Sequence, residues 1–247
     1  MKTIAILNHK GGTGKTTSAI NIGAGLAKKG KRVLLVDIDP QANLTEGLGI
    51  RDAGTSIYDS IRDSKKLPVI QVNESLDLVP SSIDLLGAEL EIVSKIGREK
   101  IITKLLKPLK GEYDYIILDC PPALGLLTIN AIVASDTVLL PLEAEYFAYK
   151  GIDRLMGVIE QVQEHLNEKL TIGGVFVTKC NSQRTLTQTI VDSITDFFGD
   201  KVFETKIRIN VSLSEAQLQG QSVFEYAPES NGAKDYELLV DEIIRKI

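Results

Sequence analysis

Eight residues near the start of the chain have the types and spacing that bind phosphate groups. The segment Lys10–Thr17 (KGGTGKTT) follows the apolar run Thr3–Leu7 and precedes a helical pattern. In a loop between a strand and a helix, backbone N–H groups and the positive helix N-terminus point at an anion. Lys15 adds a positive charge, and the Thr16 hydroxyl can ligate Mg²⁺. The segment therefore predicts a phosphate-binding loop with a magnesium ligand.

The loop departs from the general phosphate-binding pattern at its entrance. The pattern G-x-x-x-x-G-K-[ST] would place its first glycine at position 9, where this chain has His9. A second lysine, Lys10, follows directly. Lys10 limits the classes of phosphate-binding protein that fit this sequence more than any other feature does.

Two carboxylates follow the apolar run Val33–Val36 and define a second candidate cluster. Asp37 and Asp39 come at the predicted carboxyl end of this strand, where ligands bind in open α/β sheets. Strand alternation would send both side chains to the same side of the sheet. One carboxylate could then support a metal while the other orients water.

A third acidic residue ends the apolar run Tyr115–Leu118. Asp119 has the position expected of the carboxylate behind a nucleotide-bound Mg²⁺. A single aspartate at a strand end is as readily a turn or helix-capping residue. Three such strand ends together with the phosphate loop favour a binding site instead.

Short apolar runs alternate with longer helical patterns along the whole chain. This alternation predicts a three-layer α/β/α fold with a mostly parallel central sheet, formed by one domain over residues 1–247. We predict strands at Thr3–Asn8, Val33–Val36, Leu76–Val79, Tyr115–Leu118, Thr137–Leu140, Gly174–Thr178 and Val202–Glu204. We predict helices at Lys15–Lys29, Ile83–Leu109 with a break near Gly97, Gly125–Ala134, Tyr149–Leu166, Leu186–Phe198 and Ala233–Ile247. The polar, glycine-dotted stretch Ala42–Lys66 is predicted to be a mobile surface excursion.

The composition excludes several classes of protein. The net charge is −5, so any contact with nucleic acid needs a local basic patch instead of a globally basic surface. Cys120 and Cys180 lie far apart without a C-x-x-C pattern, which argues against a disulfide framework or a cysteine metal site. No apolar stretch reaches the length of a membrane span, and the N-terminus lacks the basic region of a signal peptide. We therefore expect a cytoplasmic protein.

Three separated segments together resemble the ParA/MinD family of P-loop NTPases with a deviant Walker A motif. They are the loop Lys10–Thr17, the stretch Asp37–Gln41 (DIDPQ) and the stretch Asp119–Pro122 (DCPP). Segments 79–82, 141–148 and 213–216 also fall where the short, Soj-like ParA proteins have similar sequence. The resemblance covers nearly the whole chain.

The resemblance implies an ATPase that forms a homodimer around two ATP molecules with Mg²⁺. Lys15 would hold the phosphates of its own subunit, while Lys10 would reach across to the nucleotide of the partner. Asp39 would orient the attacking water, and hydrolysis would be slow because these motifs contain no obvious arginine finger. The implied nucleotide ligands are Gly11, Gly12, Thr13, Gly14, Lys15, Thr16 and Thr17, and the implied metal residues are Thr16, Asp37 and Asp119.

The sequence indicates less clearly which residues would bind the adenine base than which would bind the phosphates. Asn181 follows a predicted strand, and its amide could pair with the adenine edge. A role as a turn residue fits Asn181 equally well. Asn210 is a similar, weaker candidate.

The resemblance also implies partners. In ParA-type proteins the ATP dimer binds nonspecific DNA at the nucleoid, and a ParB-like protein stimulates hydrolysis and releases it. The candidate DNA-contacting cations are Arg184, Lys201, Lys206, Arg208, Lys234, Arg245 and Lys246. Soj-like proteins usually carry arginines beside the Asn-Val pair, but here Ile209 and Ser212 occupy those positions. Arg208 is the remaining candidate there.

Two alternatives remain open from the sequence. A MinD-like membrane switch needs a terminal amphipathic helix with a basic polar face. The C-terminal segment 236–247 is amphipathic but acidic in its middle, which fits a helix docked on the sheet. A metabolic enzyme with the same phosphate loop is the second alternative. A reductase of this type would need further suitably placed cysteines, and a kinase or ligase would not need Lys10.

Overall fold

A single eight-stranded sheet organises the protein. The computed structural model describes residues 1–144, 151–181 and 185–247. The strand order is β3-β4-β2-β5-β1-β6-β7-β8, and all neighbours are parallel except β3 and β4. The strands are β1 (Lys2–Ile6), β2 (Val33–Asp37), β3 (Ile70–Asn73), β4 (Leu76–Val79), β5 (Tyr115–Asp119), β6 (Thr137–Glu143), β7 (Thr171–Cys180) and β8 (Val202–Arg208).

Helices connect the strands and cover both faces of the sheet. They are α1 (Lys15–Lys28), α2 (Asn43–Gly47), α3 (Ile57–Asp63), α4 (Leu85–Ile92), α5 (Ile101–Leu106), α6 (Leu126–Val133), α7 (Ile152–His165), α8 (Thr185–Phe198), α9 (Val211–Leu218), α10 (Val223–Tyr226) and α11 (Asn231–Lys246). Single 3₁₀ turns occupy residues 98–100, 107–109 and 199–201.

Two hydrophobic layers, one on each face of the sheet, form the core. Helices α1 and α11 pack on one face, where Ile20, Leu26 and Leu239 are fully buried. Helices α3 to α8 cover the other face through side chains such as Leu85 and Ile159. Helices on both faces explain why the central strands are apolar at consecutive positions. The predicted three-layer α/β/α fold with a mostly parallel sheet is confirmed.

The region between β2 and β4 differs from the sequence prediction. The stretch Ala42–Lys66 was predicted as a surface excursion, but it contains α2 and α3. Leu44 and Ile57 are buried against the core, and Ser56 caps α3 in a capping box with Asp59. Polar and glycine residues obscured these short helices because each has only one or two buried apolar side chains.

Other boundaries differ in smaller ways. The sequence prediction missed β3, an edge strand antiparallel to β4 whose exposure alternates along its length, and it missed α9 and α10. The helical stretch Ile83–Leu109 breaks at Gly97 as predicted, where φ is +69°. The predicted start of the helix Tyr149–Leu166 lies partly outside the described residues.

Candidate functional site

Three strand ends meet at the carboxyl edge of the sheet and form the floor of the site. Strand β5 lies between β1 and β2, and its last residue, Asp119, pairs in register with Ile6 on one side and Asp37 on the other. The phosphate loop begins just beyond β1. The topology therefore brings the loop and both strand-end aspartates together, as the sequence predicts.

The loop itself has the geometry of an anion cradle. Gly12 and Gly14 adopt left-handed backbone conformations, with φ of +76° and +85°, which glycine adopts without strain. Helix α1 begins at Lys15, and no side chain caps its N-terminus. Its first backbone N–H groups therefore point toward the cleft and can donate to phosphate oxygens.

Lys15 lies at the bottom of the cleft and is held by the loop. Its side chain is buried, and Nζ donates a hydrogen bond to the backbone oxygen of Lys10 at 3.2 Å. Burial lowers the pKa of Lys15, while the negative charge of Asp119 acts in the opposite direction. A phosphate anion at this position would favour the charged form of the lysine.

Asp119 and Thr16 form the part of the site that fits Mg²⁺. The Thr16 hydroxyl donates to Asp119 Oδ2 at 2.7 Å, whereas the buried Oδ1 has no hydrogen-bond partner within the described residues. Burial and the charge of Asp37 raise the pKa of Asp119. A cation beside Thr16 and Asp119 would satisfy the orphaned oxygen and stabilise the carboxylate.

The protein offers few metal ligands of its own at this position. Across the described ranges, no cluster of three His, Cys, Asp or Glu side chains could hold a metal. Mg²⁺ commonly binds through one or two protein ligands together with substrate phosphates and water. The Thr16–Asp119 pair therefore fits a metal that arrives with a nucleotide.

Asp37 and Asp39 are adjacent but have different environments. Asp37 Oδ2 accepts hydrogen bonds from the Thr45 backbone N–H at 2.9 Å and hydroxyl at 2.7 Å, and Oδ1 accepts from the Asp39 N–H at 3.1 Å. Burial raises the pKa of Asp37 to about 7. The two side-chain oxygens of Asp37 thus fix, through hydrogen bonds, the segment that contains Asp39 and α2.

Asp39 is the acidic side chain of this pair that faces the open space. Strand β2 ends at Asp37, so Asp39 lies in the following turn, and its Oδ1 accepts from the Gln41 N–H at 3.0 Å. Asp39 lines the cleft over the phosphate loop. The sequence predicts that one of these carboxylates supports a metal while the other orients water, and both the metal role of Asp37 and the water role of Asp39 stay predictions.

The cleft over the loop has a volume of about 970 Å³, which is large enough for a nucleotide. Its lining residues within the described ranges are Gly11, Gly12, Gly14, Lys15, Thr16, Thr17, Asp39, Gln41, Asn43, Glu46, Gly47, Arg51, Pro122, Lys179, Ser214, Gln217 and Leu218. Sequence reasoning had given no site role to Arg51, Lys179 or Gln217. Arg51 lies in the stretch predicted as an excursion, and Gln217 lies on the unpredicted helix α9.

The turn after α9 lies against the loop after α2. Gln217 Oε1 accepts a hydrogen bond from the Thr17 hydroxyl at 3.4 Å. Gly49 and Gly220 both have positive φ, and a Cβ on Gly220 would lie 2.6 Å from the Gly49 Cα atom. Only glycine fits at Gly220, because the two backbones are in direct contact.

One carboxylate lies between two lysines at the rim of the cleft. Glu143 Oε2 is 3.5 Å from Lys10 Nζ, and Glu143 Oε1 is 3.2 Å from Lys179 Nζ. The Glu143 side chain is 12% exposed, whereas those of Lys10 and Lys179 are 36% and 50% exposed. Lys10, the unusual lysine of the loop, is therefore paired within its own subunit.

The candidate adenine-binding residues, Asn181 and Asn210, follow strands β7 and β8. The Asn210 side chain accepts a hydrogen bond from the Ser212 N–H at 2.9 Å and caps α9. Asn181 follows the last residue of β7. Neither residue is among the described side chains that line the cleft, so base recognition by either one stays a prediction.

The candidate DNA-binding cations differ in their availability. Arg208 donates through Nε and one terminal nitrogen to the buried carboxylate of Asp235, which ties β8 to α11. Lys234 forms an ion pair with Glu229 at 3.5 Å, and Lys246 forms one with Glu242 at 3.7 Å. Lys201 and Arg245 are exposed, whereas Lys206 is half-buried. Arg184 lies outside the described residues. Arg208 is thus engaged in the fold and is a poorer candidate than the sequence suggested.

The C-terminal segment is a helix packed on the sheet, as its pattern predicts. Tyr236, Leu239 and Ile243 of α11 are buried against the layer that contains α1. In the part of the chain that the structure describes, no helix has the length and apolar character needed to cross a membrane.

The strand, the glycine-rich loop, the uncapped helix and the Thr16–Asp119 pair define a P-loop nucleotide-binding protein. Residues 1–172 match the family model described as an AAA domain. The chain is 47% identical to the sporulation initiation inhibitor protein Soj of Bacillus subtilis, with 98% of both chains covered. It is 44% identical to the chromosome-partitioning ATPase Soj of Treponema pallidum, covering 99% of this chain and 98% of that one. The chain belongs to the Soj/ParA family of partition ATPases.

A solved structure of similar fold extends this comparison to the bound ligands. Cobyrinic acid a,c-diamide synthase from Mycobacterium smegmatis with bound ADP and magnesium has a TM-score of 0.88 and 31% sequence identity, covering 99% of this chain and 94% of that one. Its ligands are of the kind that the phosphate loop and the Thr16–Asp119 pair accommodate here.

Proposed function

We propose that this protein is a partition ATPase whose ATP-bound homodimer binds DNA without sequence preference, with a partner protein stimulating hydrolysis. The observation that carries the proposal is the pair of lysines in the phosphate loop. Lys15 is buried beneath the loop, whereas the side chain of Lys10 lies at its rim. The side chain of Lys10 can reach a second nucleotide only if that nucleotide is bound to another subunit that faces this rim.

In the proposed mechanism, each side chain has one task. Lys15 and the N–H groups of the loop bind the phosphates, and Lys10 neutralises phosphate charge across the dimer interface. Thr16 and Asp119 would hold Mg²⁺, which would supply positive charge to balance the phosphate oxygens. Asp39 orients the attacking water, and Asp37 fixes the turn that carries Asp39.

The proposal takes residues 1–247 as a single ATPase domain and places the ATP dimer at the nucleoid. One continuous sheet from β3 to β8 supports a single domain. The remaining described candidates for phosphate contacts are Lys201, Lys206, Lys234, Arg245 and Lys246, and Arg184, outside the described residues, stays a candidate as well. Ile209 is 66% exposed at a position where the resemblance to Soj-like proteins leads us to expect a basic residue, so the expected basic patch is smaller in this chain.

The alternatives have less support. For α11 to serve a MinD-like membrane switch, its apolar face would have to be free to contact the membrane, but Tyr236, Leu239 and Ile243 on that face are buried in the core. A metabolic role is suggested by the name of the Mycobacterium smegmatis enzyme at 31% identity, whereas the two Soj relatives are 47% and 44% identical.

A mobility-shift assay on random-sequence DNA tests the proposed function. We expect the protein to bind DNA with ATP and to bind it only weakly with ADP or without nucleotide. The affinity for DNA should fall steeply as the salt concentration rises, because contacts with DNA phosphates release counterions. Lys15→Ala, which removes the buried phosphate-binding lysine, is the matched control and should respond to neither nucleotide. If ATP fails to promote binding even at low salt, the DNA proposal is wrong, and sedimentation with liposomes tests the membrane alternative.

A further inference from the structure

The side chains of Lys10, Glu143 and Lys179 form a three-member charge cluster at the rim of the phosphate loop. Glu143 ends β6, and the neighbouring strand β7 places Thr178 beside it in register, so Lys179 follows directly. Each Glu143 oxygen contacts a different lysine, at 3.5 Å for Lys10 and 3.2 Å for Lys179. The backbone thus fixes one carboxylate between two cations.

The position of Lys179 is unusual for a lysine. Its φ is +49°, in the left-handed region that non-glycine residues seldom adopt. Its Nζ lies 3.9 Å from where a Cβ on Gly12 would be, so the side chain extends over the loop. Uncommon backbone conformations of this kind cluster at functional sites.

The cluster creates a competition for Lys10. A lysine that pairs with Glu143 in its own subunit cannot at the same time reach the nucleotide of a partner. When Lys10 leaves, the 12% exposed carboxylate of Glu143 would lose one cation in a poorly hydrated position. A buried charge without a partner is costly, but Lys179 remains within 3.2 Å of it.

We propose that Glu143 holds Lys10 within its own subunit and that Lys179 permits its release by remaining as the counter-ion of Glu143. Dimer formation then exchanges the Glu143–Lys10 contact for a contact between Lys10 and the partner's phosphates. This inference rests on the proposed role of Lys10 across the dimer interface. Glu143 and Lys179 are positioning residues that set the ATP concentration at which the dimer forms.

The test is a double-mutant cycle read by light scattering during ATP titration. Glu143→Gln should remove the charge that attracts Lys10 and lower the ATP concentration for half-dimerisation by about twofold to fivefold, the size expected for a partly exposed ion pair. Lys179→Met should strengthen the hold on Lys10 and raise that concentration by a similar factor. In the Glu143→Gln background, Lys179→Met should have no further effect.

Several results would overturn the inference. If Lys179→Met shifts dimerisation equally with and without Glu143, the lysine acts directly on nucleotide and not through the carboxylate. We expect Lys179→Arg to leave the ATP concentration for half-dimerisation at the wild-type value, because arginine preserves the positive charge beside Glu143. The exposed pair Lys28–Glu237 supplies matched controls, Lys28→Met and Glu237→Gln, which should leave the midpoint unchanged.

Lys10→Ala separates this inference from the proposed function. If Lys10→Ala dimerises with ATP like the wild type, the trans role of Lys10 fails, and the inference fails with it. If Lys10→Ala stays monomeric while Glu143→Gln has the wild-type midpoint, the inference alone is wrong.

Discussion

The Thr16 hydroxyl connects the phosphate loop to Asp119, and this contact predicts a measurable magnesium dependence. Thr16→Ala removes the hydroxyl that donates to Asp119 Oδ2 and that would ligate the metal. We expect the Mg²⁺ concentration for half-maximal ATP turnover to rise by about tenfold to a hundredfold, as for other residues that support a metal. Thr16→Ser keeps the hydroxyl and should stay near the wild type. An unchanged Mg²⁺ titration in Thr16→Ala would contradict the assigned role.

The sequence could reveal some site residues and not others. Lys15 and Thr16 are adjacent in the chain, and Asp119 ends an apolar strand, so local patterns identify all three. Lys179 and Gln217 approach the loop from distant elements, and only the sheet order and the packing of α9 bring them there. Residue spacing carries no direct information about such contacts.

The ion pair between β8 and α11 predicts a cost in stability. Asp235 is buried, and it accepts hydrogen bonds from the backbone N–H and the guanidinium of Arg208. Asp235→Ala leaves these donors without their acceptor, and we expect a loss of about 1–3 kcal/mol in the free energy of unfolding by urea denaturation. Lys234→Ala, at the neighbouring exposed position, should change stability by less than about 0.5 kcal/mol. Equal stability in the two variants would show that the buried pair contributes nothing.

The sequence predicts whole helices and strands where their apolar or helical patterns are long. The strand Val33–Val36 and helix Lys15–Lys29 have continuous apolar or helical patterns, and the structure places them within one residue of the predicted ends. Helix α2 has five residues and a left-handed N-cap at Ala42, so its stability comes from tertiary contacts of Leu44. Short helices of this kind leave too little periodicity in the sequence to be predicted.

The assembled molecule should be trapped as a dimer when water activation is removed. Asp39 lines the cleft without contacting Thr16 or the buried Asp119 in any described hydrogen bond. Asp39→Ala should therefore bind ATP and dimerise while turnover falls by about a hundredfold or more. Light scattering with ATP should show a lasting dimer. A monomer under those conditions would overturn the role assigned to Asp39.

The contact between Gly49 and Gly220 gives the molecule a direct mechanical coupling. The loop behind α2 continues the segment that Asp37 anchors, and the turn at Gly220 ends the helix that carries the exposed Leu218. Because the two backbones are in contact, neither segment can move toward the other without displacing it. Ser214 and Gln217 of α9 line the cleft, so a ligand that displaced α9 would also displace the loop after α2. A protein that bound α9 more tightly in one nucleotide state would stabilise that same state in return, because linkage is reciprocal.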